Sequence, residues 1–450
     1  MELLPFGWTQ VLLGDVAEII MGQSPPSSTY NTQGRGLPFF QGKAEFGRYT
    51  PTAVKYCSLP QKIAEKDDVL ISVRAPVGPT NLCMERSCIG RGLAAIRSNG
   101  TTLSKYVLYY IRSIEPWLSE QGTGSTFAAI SRKHLEQISI ALAPLNEQHR
   151  IAAKLEELLA KVDKCIERLE RIPAILKRFR NAVLSAAATG QLTSSLRKSD
   201  DIIGSWQQVK LGNAADLIQI GPFGSLLHKS EYVKDQIPLV NPTNIVAGRI
   251  IPSPDTTISP AKKRQLRRYA LQEGDVVIGR RGEMGRCAVV TKKEDGWVCG
   301  TGSLFVRPHA KLLPSFLHIL ISSPAAIAYL EESNVGSTMA NLNQGIFHQM
   351  EIPLPDVEEQ HEIVHRVEAL FKIADQVEAR YRKAKAVVDK LTQSILAKAF
   401  RGELVPQDPN DEPAAELLKR IREERARRQE TTGNGQNNRA GNRGRRKGKA

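Results

Sequence analysis

Two stretches of the chain repeat apolar residues every seven positions, and the sequence around them follows a different pattern. From Asn146 to Thr189, Leu155, Val162, Leu169, Leu176 and Val183 share one heptad position, and Leu158, Cys165, Ile172, Phe179 and Ala186 lie three residues further on. A second stretch repeats this with Val367, Ala374, Tyr381, Val388 and Ile395, followed by Leu370, Val377, Ala384, Leu391 and Lys398. Five heptads in each predict two long helices that meet along a coiled-coil seam of a and d positions. Asn146 is placed to cap the first helix, and Asp356 with Glu359 forms a capping box for the second. Pro144 and Pro355 stop any helix upstream, and Pro173 is expected to kink the first helix. Ahead of each helix, short apolar runs bounded by Gly and Pro predict a mainly β domain with a helix or two, such as 105–112.

The two halves are copies. Gly124-Ser125-Thr126 returns as Gly336-Ser337-Thr338, Glu147-Gln148-His149 as Glu359-Gln360-His361, and Gly190-x-Leu192 as Gly402-x-Leu404, each pair 212 residues apart. Further forward the offset drifts from 198 to 210: Trp8 answers Trp206, Asp68-Val69-Leu70-Ile71 answers Asp275-Val276-Val277-Ile278, and Gly90-x-Gly92 answers Gly300-x-Gly302. This gives an α+β chain: a β-rich domain over 1–145, a helix over 146–190, a linker over 191–204, a second domain over 205–355 and a second helix over 356–404. A segment with a helix follows over 405–430, then a basic disordered tail over 431–450. A 44-residue helix is roughly 65 Å long at about 1.5 Å per residue, whereas the 14-residue linker reaches at most about 50 Å. The second domain is therefore expected at the far end, with the second helix returning antiparallel. A repeat of this size predicts a monomer that imitates a two-fold dimer, and duplex DNA is the ligand whose own symmetry suits it.

Composition supports that direction. The formal net charge is +15, which favours a polyanionic partner, although part of it lies in the Arg-rich tail. Six cysteines without a C-x-x-C pair fit a reduced compartment. The start lacks the basic and apolar regions of a signal peptide, and no apolar run is long enough to cross a bilayer, so a cytoplasmic location is expected.

In their order and duplication these motifs resemble the specificity subunit of Type I restriction-modification systems, a likeness that runs to about Arg428. The resemblance extends to Glu412-Pro413-Ala414-Ala415-Glu416-Leu417-Leu418, similar to the C-terminal helix of that family, and departs from it at Asp67, where glycine is usual. It implies a non-catalytic chain with two target recognition domains, each reading one half of a split DNA sequence. The helices would act as a ruler and as a platform for two modification subunits. S-adenosylmethionine, ATP and Mg would then belong to the modification and restriction subunits, with no cofactor in this chain. The alternative is the specificity module of another DNA methylase or phage-defence complex.

Other motifs carry less. His361-Glu362-Ile363-Val364-His365 matches the H-E-x-x-H zinc helix, but its repeat partner, His149-Arg150-Ile151-Ala152-Ala153, keeps neither the Glu nor the second His, so no metal is expected. Asn241-Pro242-Thr243-Asn244 reads as a turn after a strand, and Gly279-Arg280-Arg281-Gly282 as a hairpin connection paired with Ser72-Val73-Arg74-Ala75. Candidate DNA contacts are Lys43, Arg48, Arg74 and Arg91 in the first half and Arg280, Arg281 and Arg286 in the second. The run Lys262, Lys263, Arg264, Arg267 and Arg268 suits phosphate contact or a solvated helix face. Ser125, Thr126, Ser337 and Thr338 complete the candidates, as hydroxyls for phosphate or as turn closers.

Overall fold

A computed structural model describes residues 4–98, 102–121, 129–196, 206–333 and 342–423. The chain forms two compact units: one holds the residues up to Arg168 with those from Ala384 onward, the other Leu169–Lys383. Both are α+β and share one plan. In the first, a four-stranded antiparallel sheet runs in the order Ala17–Met21, Leu93–Ser98, Val69–Ser72, Thr80–Leu82. In the second the order is Ala215–Ile220, Ser303–Pro308, Val276–Gly279, Cys287–Val289. Alternate residues of a strand point to opposite faces, so each sheet serves two cores. Val69, Ile71, Ala94 and Ile96 face one core, and Leu70, Leu93 and Ala95 the other. Val276, Ile278, Leu304 and Val306 are divided in the same way from Val277 and Phe305. A second sheet in each unit contains one parallel pair, Leu37–Phe40 with Ser87–Ile89 and Ile237–Val240 with Val298–Cys299. Among the described residues no helix is long and apolar enough to cross a membrane.

The long helices span Leu145–Ala188 and Val357–Phe400, and the first runs unbroken through Pro173. Each unit contains the start of one and the end of the other, so they pair antiparallel within it. Leu155 and Leu159 share a core with Leu396 and Ala399, and Val183, Leu184 and Ala187 share one with Ile363 and Val367. The buried stripe differs from the expected seam. The a positions Leu155, Val162, Leu176, Val183, Val367 and Ala374 are buried, but the buried companions Leu159, Ala187 and Ala399 lie four residues after Leu155, Val183 and Ile395, not three. Val377 and Leu391, expected at d, are each 39% exposed, and Leu158, Leu169, Phe179, Leu370, Val388 and Ile395 are half-buried. The physical reason is that both companion positions carry apolar side chains. The choice between them falls to packing against the β domains, where Leu159 and Ala187 enter the cores.

Capping also departs from expectation. The first helix starts at Leu145, and the Asn146 amide donates to Asp411 Oδ1 at 3.1 Å instead of capping. At the second helix Asp356 Oδ1 accepts from Glu359 N at 2.8 Å, the expected cap bond, and the Glu359 carboxylate also accepts from Trp206 Nε1 at 3.0 Å and from Thr193 Oγ1 at 2.6 Å. In the first unit Glu147 accepts from Trp8 Nε1 at 2.9 Å in the same way. The neighbouring glutamines, Gln148 and Gln360, are fully buried; their Oε1 atoms accept from Leu103 N and Leu313 N, and their Nε2 atoms donate to Ala143 O and Pro355 O. The Glu-Gln pair thus welds each helix start to its β domain. Gly190 and Gly402 end the helices with φ of 74° and 73°, the left-handed conformation that closes a helix and disfavours any side chain.

Residues 414–423 form a helix whose Leu417, Leu418 and Ile421 are buried, in the first unit. Asp411 anchors this segment: its Oδ2 accepts from Arg150 at 2.7 Å, and that guanidinium holds the carboxyl below its usual range. Because the pKa is depressed in the folded state, the stabilisation is complete above about pH 4, the ordinary aspartate value, and is lost as pH falls through the lower folded value. Glu147, on the long helix that also carries Arg150, works in the opposite sense, since burial raises its pKa and protonation relieves a buried charge. Taking the pH from 6 to 3 is expected to weaken the anchor by at most about 1 kcal/mol, seen as faster amide exchange over 414–423. Asp411→Asn should show that faster exchange already at pH 6 and no further acid-induced weakening.

Candidate nucleic-acid interface

Three loops of the first domain converge at one edge because glycines let their backbones touch. A Cβ on Gly22 would lie 2.2 Å from Gly90 O, and one on Gly92 2.2 Å from Gln41 O. The second domain repeats the approach, with a Cβ on Gly221 falling 2.0 Å from Gly300 O. This explains the duplicated Gly-x-Gly motif: only glycine fits between the loop after the first strand and the turn at Gln41–Lys43 or Asn241–Asn244.

In the first domain these loops enclose an open cleft of about 300 Å³ lined by Lys43, Arg74 and Arg91 together with Ser24, Gln41 and Ser72. All three cations are exposed, none of the lining residues is acidic, and among the described residues none of the three is paired with a carboxylate. The backbone of Arg91 is fixed by its N–H donating to Ser24 Oγ at 3.2 Å. The arrangement presents three unneutralised cations with hydroxyl and amide groups between them, which suits a phosphate backbone or an acceptor-rich base edge. Ser24, Gln41 and Ser72 were not among the sequence candidates, since none carries a charge that would mark it.

The other candidates divide. Arg281 occupies the position of Arg74 in the second copy and is exposed. Arg280 is 7% exposed, its Nε donates to Leu342 O and its backbone bonds Gly302 O, so it holds the loop together and is not presented to a ligand. Its partner in the first copy is Val73, a buried position, and that pairing was the available warning. Arg48 is ion-paired with Asp163, which also accepts from Tyr49 Oη at 2.8 Å, so it fastens the domain to the long helix. Arg286 is half-buried, with Nη1 donating to Pro242 O at 3.1 Å and Nη2 to Glu283 at 2.8 Å. Lys262 is largely covered, its Nζ 2.7 Å from Glu231 Oε1. Lys263 is half-buried, whereas Arg264, Arg267 and Arg268 are exposed on a short helical segment that packs through Leu266 and Tyr269. The Arg268 guanidinium lies over the Tyr269 ring at 4.9 Å. Ser125, Thr126, Ser337 and Thr338 lie outside the described residues. In the zinc-like motif His361 and His365 are exposed and Glu362 accepts from Arg366 Nε at 2.6 Å.

A β-rich module present twice, each copy bonded to the start of a long helix and the first bearing a cationic cleft on its loops, defines a duplicated recognition protein. The model of the Type I restriction modification DNA specificity domain matches residues 5–177 and again 204–385. The chain is 32% identical over 447 residues to the Type I restriction enzyme EcoBI specificity subunit of Escherichia coli, covering 93% of this chain and 92% of that one. The HsdS subunit of Thermoanaerobacter tengcongensis shares the fold at a TM-score of 0.57 and 22% identity, over 89% of this chain and 98% of that one. A chain from a structure of type I R-M complex assembly and conformational transition does so at 0.70 and 22%, over 90% and 100%. The chain belongs to the Type I restriction modification DNA specificity family, with two copies of its domain in one polypeptide.

Proposed function

We propose that this chain is the non-catalytic subunit that gives a cytoplasmic Type I restriction-modification complex its DNA sequence, each β-rich domain reading one block of a bipartite target. The observation that carries this is the cleft of Lys43, Arg74 and Arg91 on one copy of a duplicated domain, with Arg281 at the matching loop of the other. Phosphate contacts from these cations supply affinity with steep salt dependence, and a few base-edge contacts in each domain supply specificity. Two modification subunits and the restriction subunits dock on the chain and bring S-adenosylmethionine, ATP and Mg with them. Exchanging residues 1–145 for the matching domain of a relative tests the reading: the reconstituted complex should methylate a site with one block changed and the other kept. Change in both blocks, or in neither, would refute it.

A further inference from the structure

The two copies differ at the C-terminal ends of their long helices. In the first unit Phe400 closes the gap between helix end and β domain, packing edge-on against Tyr106 and Tyr110 with ring centroids 5.2 and 5.0 Å apart. Both tyrosine hydroxyls donate to the strand Ser139–Leu142, Tyr106 to Ala141 O and Tyr110 to Ser139 O, each at 2.5 Å. At the 212-residue offset Phe400 becomes Ala188, and at the 210-residue offset the tyrosines become Phe316 and Leu320, which have no hydroxyl to donate. The second unit has a cleft of about 490 Å³ here, lined among others by Ala188, Lys210, Leu320, Tyr329, Met350 and Ile352. The strand along it, Glu351–Leu354, pairs with Gln207–Lys210 in the same register that Ser139–Leu142 keeps with Thr9–Leu12. Its carbonyls at Glu351 and Pro353 therefore take the places of those that receive the tyrosine hydroxyls in the first unit.

The geometry points to a docking cleft in the second unit that takes one aromatic side chain, tyrosine by preference, from a modification subunit. The occupant is specified by the molecule itself, since the first copy fills the equivalent space with a phenylalanine ring and satisfies the adjacent strand with phenolic hydroxyls. An apolar body of that size with a donor at its tip is what tyrosine supplies, and buried aromatic anchors dominate protein interfaces. One consequence is that the two modification subunits bind this chain unequally, because the first half carries its own plug. The inference rests on the proposed function, which supplies the partner.

Ala188→Phe copies the first unit's plug into the second. The variant is expected to melt no lower than the parent and to bind one of its two modification subunits at least tenfold more weakly, measured by titrating purified modification subunit into the full chain. A photo-crosslinking phenylalanine analogue at Lys210, on the rim, should cross-link the otherwise unaltered cleft to an aromatic residue of that subunit; this readout stands even if position 188 tolerates no larger side chain. Two equal, undiminished binding steps in Ala188→Phe, or no cross-link to the modification subunit, overturns the inference, as does a cross-link joining two copies of this chain. Failure of the parent chain to bind any modification subunit would instead overturn the proposed function.

Discussion

Replacing Lys43, Arg74 and Arg91 together by alanine should lower affinity for the target duplex by roughly 100-fold or more and flatten its salt dependence. Each phosphate contact removed reduces the slope of log K against log salt by about 0.9, so three lost contacts reduce it by about 2.7. A cation that reads a base behaves differently: its loss costs about 1–3 kcal/mol and relaxes discrimination at a single position. Single substitutions analysed by salt titration and by methylation mapping therefore separate the two roles, and any relaxation should appear only in the block read by the first domain. Because the three side chains are exposed and, among the described residues, unpaired with carboxylates, the folded chain should lose no more than about 0.5 kcal/mol. Two controls sharpen the test. Arg48→Ala, which breaks the tie to Asp163, and Lys262→Ala, which breaks the pair with Glu231, should change affinity by less than about threefold if charge in the cleft is what matters. Equal losses from the cleft triple and from these controls would mean that the domain responds only to net charge.

The contrast between Arg74 and Arg280 shows what the sequence could reveal. Both stand in polar, glycine-bearing loops between strands, and composition marks both as exposed cations. What separates them is a carbonyl: Leu342 O lies where Arg280 Nε can reach it, and a long-range contact of that kind leaves no trace in local sequence. The duplication carried the missing information, since Val73 at the corresponding place is buried. The same holds for the helices. Their existence, length and antiparallel sense follow from the heptads and the linker length, but Leu158 and Leu159 are equally apolar, and only tertiary packing selects Leu159. The doubled motifs were legible as a pattern before they were legible as structure. Glu147 and Glu359 receive an indole N–H, Gln148 and Gln360 bridge backbone groups, and Gly190 and Gly402 close helices, so much of what repeats is framework. What differs between the copies, Arg91 against Thr301 at the cleft and Phe400 against Ala188 at the helix end, is where their functions can differ.

Framework of that kind should be expensive to break, and the duplicated Asp-Arg pair is the clearest case. Asp275 is 1% exposed and accepts from Arg307 Nε at 2.8 Å and Nη2 at 2.9 Å, while its Oδ2 also receives Gln272 N at 2.8 Å. Asp68, Arg97 and Glu65 N make the same set in the first domain. Arg307→Ala leaves a buried carboxylate without its cation, and such losses cost about 3–5 kcal/mol because the remaining charge stays desolvated. That is a large fraction of the stability of an ordinary domain. The double variant Asp275→Asn with Arg307→Met keeps an acceptor for Gln272 N and removes both charges, so it should recover most of the loss. Urea unfolding of the three proteins measures the difference, and a double variant as unstable as Arg307→Ala would show that the ion pair itself, and not the orphaned carboxylate, sets the cost. Asp275 immediately precedes the strand Val276–Gly279, which leads into Arg280 and Arg281. Arg307→Ala should therefore also weaken reading of the second block in conditions where the chain is still folded, with the first block read as before.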